Sequence, residues 1–151
     1  MTLADGYLVA GNMTEEQQAS IFFYGVYTQL IDDLEDVKSD LEAGLTTVFS
    51  GTARHWSLEA VTNRTLHFGD ELIKGMSCFS APVRQPFCEL IKQCLPVYVI
   101  TSVGGARRYY SWGYVREMET HMPVRLSFLD RQSKKLEKQK IGISRLLELF
   151  V

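Results

Sequence analysis

The sequence predicts an all-α helical bundle, and three observations support this fold class. Apolar residues recur mostly at intervals of three and four along the longer segments, which is the period of a helix with one buried face. Residues that start or stop helices bracket those segments. Stretches with the character of β-strands are nearly absent, and the connecting loops are short. With 151 residues the chain has room for one domain with a hydrophobic core, which we expect to span residues 1–151.

The overall composition is that of an ordinary globular protein, with 46% hydrophobic and 23% charged residues. A formal net charge of −2 gives no electrostatic reason to expect a nucleic-acid binder, which requires a basic face. The strongest apolar run, residues 94–103, has about half of the roughly 20 residues that span a bilayer. The three cysteines show no CxxC spacing, so we expect reduced thiols and neither a zinc site nor a disulfide framework. These features predict a soluble, cytoplasmic protein without a membrane span.

The first two helices are predicted from the residues at their ends. Residues 2–10 carry apolar side chains at helical spacing and are followed by a Gly-Asn pair. Thr14 and Gln17 form a capping box, in which the two side chains satisfy backbone N–H groups at the start of a helix. A long helix is predicted from there to about Asp40, and Gly44 is a natural terminator just beyond it.

The rest of the chain is predicted to contain four more helices. Residues 45–51 are assigned to a loop or a helix start, although their β-branched side chains also permit a short strand. A second long helix is predicted over about residues 55–76, with Trp56 among its inward-facing side chains. The next helix is predicted to end near Ser102, and the one after it to cover about residues 106–119. The final helix is predicted to follow Pro123 and to have a basic face (Arg131, Lys134, Lys135 and Lys138).

Four aspartates concentrate near the end of the first long helix. Asp32, Asp36 and Asp40 are four residues apart and so lie on one helical ridge, with Asp33 beside it. Their charges repel one another, and the helix dipole disfavours anions at this end, so the arrangement needs compensation. Mg²⁺ would supply it, because this ion takes oxygen ligands from carboxylates and substrate phosphates. The alternative is a solvated acidic face, helped by Lys38.

The residues that precede the aspartates favour a site that points toward the interior. The preceding residues, 22–31, are strongly apolar and aromatic, so the acids continue a helix that should be largely buried. Gln29, one turn before Asp33, is a polar side chain within that apolar segment. We therefore expect the acidic ridge to face a hollow.

The segment Tyr-Thr-Gln-Leu-Ile-Asp-Asp-Leu-Glu-Asp-Val at 27–37, followed by Asp40 and Gly44, resembles a known motif. It is similar to the second aspartate-rich motif of polyprenyl (trans-prenyl) diphosphate synthases and other class I isoprenoid synthases. The resemblance covers about residues 25–44. It departs from the family pattern at Leu45, where the synthases usually carry a lysine. The first aspartate-rich motif is also absent, since Asp5 is the only aspartate before the cluster.

The resemblance implies a partial isoprenoid-synthase-like fold, in which two aspartate-rich helices face each other and Mg²⁺ holds a prenyl diphosphate. The four aspartates would then bind the metal, and Gln29 and Lys38 would contact the substrate. Because the synthases are considerably longer, the chain is expected to correspond to the C-terminal half of such a transferase and to be inactive alone. The alternative is a non-catalytic helical subunit or scaffold that assembles with a partner chain.

Arg107, Arg108 and Tyr109 form a second candidate for substrate binding. Arginines make two-pronged contacts with phosphate, and the segment resembles the Arg-Tyr pair with which related terpene cyclases grip diphosphate near their C-terminal end. The alternative is that both arginines lie on the surface of the bundle. A half bundle would also expose apolar helix faces, which generally mark interfaces. We therefore expect a homodimer, or a partner chain that supplies the missing half.

Overall fold

The computed structural model describes residues 2–80, 84–129, 131–132 and 135, and within them the elements are helices joined by turns, without a β-strand. The prediction of an all-α fold is confirmed. Two 3₁₀ turns, at Met76–Cys78 and Arg107–Tyr109, and a helical turn at 126–129 complete the elements. The α-helices are α1 (Thr2–Ala10), α2 (Glu15–Glu35), α3 (Val37–Ala43), α4 (Val48–Ala53), α5 (Glu59–Gly75), α6 (Arg84–Gly105) and α7 (Trp112–Thr120).

The start of α2 follows from the capping box that the sequence predicts. The Thr14 Oγ1 atom accepts a hydrogen bond from the Gln17 backbone N–H at 3.3 Å. In return the Gln17 Oε1 atom accepts one from the Thr14 backbone N–H at 3.0 Å. Two backbone donors that a helix start leaves unpaired are thereby satisfied, and the predicted box is confirmed.

The long helix predicted to reach about Asp40 is instead divided at Asp36. This residue has φ −88° and ψ 4°, so α2 ends before it and α3 begins after it. Hydrogen bonds from Asp36 N to Asp32 O (2.8 Å) and from Asp40 N to Asp36 O (2.9 Å) continue across the division. Aspartate is a weak helix former and neighbouring carboxylates repel each other, which explains why the division falls here. Gly44 ends α3 with φ 72°, a conformation that glycine adopts without strain.

The helix predicted over about residues 55–76 begins later, at Glu59. Trp56 therefore lies in the connection between α4 and α5, where helical spacing does not determine its direction. It is 72% exposed, so the prediction that it faces inward is wrong. The backbone N–H of Leu58 donates to the Tyr109 carbonyl at 3.1 Å, which ties the start of α5 to the second 3₁₀ turn.

The last described part of the chain also differs from its predicted boundaries. The helix predicted over about residues 106–119 starts only at Trp112, after the 3₁₀ turn. The Ser111 Oγ atom accepts a hydrogen bond from Tyr114 N at 3.2 Å and caps α7. Of the predicted basic final helix, Arg131 and Lys135 are helical, and Lys134 and Lys138 lie outside the described residues.

The core lies where α2, α5 and α6 pack against one another. Tyr27 and Leu34 of α2 are fully buried there, as are Val99 and Val103 of α6. The ring of Tyr27 lies directly against the backbone of Gly69 in α5. Among the described residues, no helix has both the length and the apolar character that crossing a membrane requires.

Candidate functional site at the end of helix α2

The four aspartates lie at the junction of α2 and α3. Asp32 and Asp36 are exposed to solvent, and Asp33 and Asp40 are half-buried. The side chains that α2 buries in the core, which include Tyr27, are on its other face. In the described structure the acidic ridge therefore lies on the outside of the bundle, and the expectation that it faces a hollow is not met.

Three of the predicted site residues are held by neighbours one turn away. The Gln29 Nε2 atom donates a hydrogen bond to Asp33 Oδ1 at 2.9 Å. Lys38 forms an exposed ion pair with Glu42 at 3.8 Å, a type of pair that adds little stability. Gln29 thus lies beside Asp33 and Lys38 beside Glu42, and the contact of either side chain with a substrate stays a prediction.

The arrangement of the aspartate carboxylates limits which metal sites the chain can form by itself. Among the described residues, no three histidine, cysteine, aspartate or glutamate side chains are grouped so that they could hold one metal ion. One of the carboxylates, Asp40, also accepts a hydrogen bond from Thr47 Oγ1 at 3.3 Å. The aspartates therefore do not make a complete protein-only metal site. Each aspartate can still provide one carboxylate ligand, and Mg²⁺ is commonly held by one or two carboxylates together with water and phosphate oxygens.

The exposed face of α2 has a regular composition. Phe22, Gln29 and Asp32 of α2 lie on one face, because their spacings of seven and three residues correspond to nearly whole turns, and Asp36 follows at a spacing of four, just after the helix ends. We call these four residues the outer stripe. It passes from an aromatic side chain that is 54% exposed to an amide and then to two carboxylates. The outer stripe therefore combines an apolar contact surface with negative charge.

The two arginines of the predicted pair, Arg107 and Arg108, do not line the same concavity. Arg107 lines a groove together with Arg116 and Arg125, whereas Arg108 lines a different concavity that contains Arg54. The Arg107 Nε atom donates to the Gly104 carbonyl at 3.1 Å. The neighbouring Arg108 guanidinium lies 4.8 Å from the centre of the Tyr109 ring. Neither concavity is lined by a residue of α2 or α3.

Sequence reasoning missed the groove around Arg107. Its lining includes Trp112, Arg116 and Arg125, and its volume is about 540 Å³. Trp112 and Arg116 are four residues apart on α7, and this spacing could have indicated their contact. Arg125 comes from the following turn, and only the tertiary fold brings it to the same groove.

Helix α7 and the two residues that precede it are joined to α5 by hydrogen bonds. Thr62 Oγ1 and Tyr110 Oη are 2.7 Å apart, and the Tyr114 hydroxyl donates to Asn63 Oδ1 at 2.7 Å. The rings of Tyr110 and Tyr114 are stacked, with centres 5.3 Å apart. At the same junction the Ser111 backbone N–H donates to Glu59 Oε1 at 3.0 Å. These contacts hold one wall of the groove in place.

Protein-family models, curated proteins and solved structures include no match to this chain.

Buried tyrosines make the stability sensitive to alkaline pH. Burial, with a smaller contribution from the Asp70 charge, raises the pKa of Tyr27 from 10.0 to about 12. Burial, with repulsion from Glu59 and Glu117, also raises the pKa of Tyr114 to about 12. The folded state therefore holds these protons more tightly than the unfolded state does. The stability that this contributes is complete below pH 10.0 and is lost as the pH rises toward about 12.

We expect chemical unfolding to show a lower free energy of unfolding at about pH 11 than at about pH 8. Tyr27→Phe removes one titrating hydroxyl, so the variant should lose less stability than the wild type over the same interval. An equal loss in the two proteins would contradict the assignment to Tyr27. Tyr7→Phe is the control, because this tyrosine is exposed on α1.

Proposed function

We propose that this chain contributes one side of a magnesium–prenyl diphosphate site and that a second copy of the chain supplies the other side. The observation that carries the proposal is the outer stripe, in which Asp32 of α2 and Asp36 at its end are exposed on the same side as Gln29 and Phe22. The opposite face of α2 is buried in the core. The outer stripe is thus the face of α2 that remains for a partner. A cytoplasmic location, expected from the sequence, belongs to the same proposal.

The spacing of the outer stripe supports a pairing of α2 with α2. Positions 22, 29 and 32 of α2 and position 36 just beyond it are spaced by seven, three and four residues, so they form one line along which a second copy of the helix can lie. In a parallel pairing, like positions meet, so the two phenylalanines make apolar contact and the aspartates of both copies face each other. Facing carboxylates repel unless a cation lies between them. Association through this face should therefore depend on a divalent metal.

Mg²⁺ suits such a paired arrangement because it takes few carboxylates and keeps room for water and phosphate oxygens. It would act on the diphosphate as a Lewis acid.

Asp32 and Asp36 are the proposed main ligands, with Asp33 and Asp40 beside them. Gln29 and Lys38 are proposed to contact the diphosphate, while the role of Arg107, Arg108 and Tyr109 in this site stays a prediction.

The proposal predicts that Mg²⁺ and geranyl diphosphate together convert the wild-type chain into a dimer. Asp32→Asn/Asp36→Asn removes two charged ligands from each copy and therefore four from the dimer. At about tenfold for each lost charged contact, the association should weaken about ten-thousandfold. Sedimentation velocity across a concentration series measures the effect. Asp5→Asn/Asp70→Asn removes the same charge from exposed positions on α1 and α5 and should behave like the wild type.

A wild-type chain whose mass is the same with and without both ligands would contradict the proposal. So would equal dimerisation of the wild type and the Asp32→Asn/Asp36→Asn variant. Isothermal titration of Mg²⁺ and geranyl diphosphate into the same proteins provides an independent readout, because it reports binding whether or not the mass changes.

A second candidate is a helical subunit or scaffold without prenyl chemistry. The observation that favours it is the exposure of Asp32 and Asp36 together with the lack, among the described residues, of three grouped metal ligands. Under this hypothesis the carboxylates only repel each other, so Asp32→Asn/Asp36→Asn should raise the free energy of unfolding by about 0.5 kcal/mol. Any self-association would then be the same in Mg²⁺ and in a chelator.

A further inference from the structure

A groove with a basic lining is formed by the last turn of α6, the second 3₁₀ turn, α7 and residues 125–127. We call it the basic groove. Its volume is about 540 Å³, which accommodates a small ligand. Its charged lining residues are Arg107, Arg116, Arg125 and Glu119.

The charge of the basic groove differs in sign from that of the whole chain. Three arginines and one glutamate give its lining a net charge of +2, whereas the chain has a formal net charge of −2. The carboxylate of the glutamate is already engaged, since Glu119 Oε1 accepts a hydrogen bond from the Leu126 backbone N–H at 2.9 Å. Positive charge therefore dominates this concavity, and a cleft lined mainly by one sign of charge attracts ions of the opposite sign.

Two of the guanidinium groups are held in place by contacts with the protein. The Arg116 guanidinium lies 5.2 Å from the centre of the Trp112 ring. A cation above an aromatic ring uses the face of the planar guanidinium, and its N–H donors then point along the edge. Arg107 is held through its Nε donor to the Gly104 carbonyl. Pre-positioned arginines bind an anion at a lower entropic cost than free side chains do.

We propose that the basic groove binds a phosphate-bearing ligand. Planar guanidinium groups match pairs of phosphate oxygens, and these charge-assisted hydrogen bonds are stronger than neutral ones. Three arginines around one small concavity suit a compact anion with more than one negative charge, whereas a single carboxylate needs only one of them. The inference goes beyond the proposed function, because no lining residue belongs to α2 or α3 and no metal ion is required.

Trp112 provides a direct readout of ligand binding. The chain has two tryptophans, and Trp56 lines the neighbouring concavity and not the basic groove. In a Trp56→Phe background, Trp112 is thus the only tryptophan. Sodium pyrophosphate, titrated in the presence of EDTA, should change its fluorescence saturably. The chelator ensures that a failure of the aspartate site leaves this measurement unaffected.

Arg116→Gln/Arg125→Gln removes two charged contacts. At about tenfold for each, pyrophosphate binding should weaken about a hundredfold. Arg64→Gln/Lys92→Gln is the matched control, since it removes two positive charges from exposed positions on α5 and α6 outside the groove. Circular dichroism and the melting temperature verify that both variants remain folded. Vesicles of phosphatidylcholine with phosphatidic acid form a second arm, which distinguishes a lipid headgroup from a soluble phosphate.

Binding in either arm that is lost in the groove variant and kept in the control supports the proposal, and the arm identifies the source of the phosphate. Three results overturn it. These are the absence of binding in both arms, an equal loss in the groove variant and the control, and binding of polyglutamate as tight as that of pyrophosphate. The last would show attraction to anions in general without recognition of phosphate.

Discussion

Gly69→Ala should lower the free energy of unfolding by about 1–3 kcal/mol, the usual cost of adding a group to a tightly packed core. A Cβ atom at Gly69 would lie 2.8 Å from the Tyr27 hydroxyl oxygen and 2.9 Å from two ring carbons. The tyrosine is 1% exposed and packs inside the core, so its ring has little room to shift. Urea unfolding monitored by circular dichroism measures the change.

Two companion variants separate overpacking from a general effect of replacing glycine in a helix. Gly75 ends the same helix, and a Cβ atom there meets nothing within 4 Å, so Gly75→Ala should be neutral or stabilising by up to about 1 kcal/mol. Combining Gly69→Ala with Tyr27→Leu should cost less than the sum of the two single changes, because the smaller side chain removes the clash. Equal effects of Gly69→Ala and Gly75→Ala would contradict the packing argument.

Thr62→Val should destabilise the protein by about 1–3 kcal/mol, because it leaves the partly buried hydroxyl of Tyr110 without its hydrogen-bond partner. Thr62 is fully buried, and its Oγ1 atom lies 2.7 Å from the Tyr110 hydroxyl oxygen. Valine has nearly the same shape as threonine, so the loss reports the hydrogen bond and not a cavity. The free energy of unfolding is again the measured quantity.

Thr65→Val is the matched control for this change. Thr65 is also buried on α5, but its hydroxyl bonds the Val61 carbonyl within the same helix, so its loss should cost less than about 1 kcal/mol. Tyr110→Phe added to Thr62→Val removes both partners, and the double variant should be more stable than the sum of the single effects predicts. Strict additivity in this cycle would show that the two hydroxyl groups do not interact.

The same hydrogen bond connects stability with the basic groove. Tyr110 lines that groove and is anchored to α5 by Thr62. Burial holds the pKa of the Tyr110 hydroxyl above its usual range, so the group stays protonated at neutral pH. Thr62→Val should therefore weaken pyrophosphate binding only modestly, since it loosens one wall of the groove without removing an arginine.

Local signals in the sequence account for many helix boundaries. The capping box of Thr14 and Gln17 depends on backbone donors and side chains only three residues apart. The left-handed conformation at Gly44 likewise follows from the nature of one residue. Such features were predictable because their partners are neighbours in the chain. The division of the helix at Asp36 was less accessible, since helical hydrogen bonds continue across it.

Contacts between distant segments decided the rest. The orientation of Trp56 depends on where α5 begins. The start of α5 is held by the hydrogen bond from the Leu58 N–H to the Tyr109 carbonyl, and these two residues are 51 positions apart in the chain. The separation of Arg107 from Arg108 is another example. Adjacent side chains diverge in the 3₁₀ turn and line different concavities, which a dipeptide motif does not reveal.

The sequence by itself determined the all-α class, the two ends of α1, the start of α2, the end of α3 before Gly44, and the placement of four aspartates within residues 32–40. Each depends on the helical period or on interactions within one turn. The tertiary structure alone decided that Asp32 and Asp36 are exposed and that Arg125 joins Arg107 and Arg116 in one groove. The physical reason is that a helix turns its polar face outward or inward according to which of its faces the neighbouring helices bury, and that choice is made by packing between distant segments.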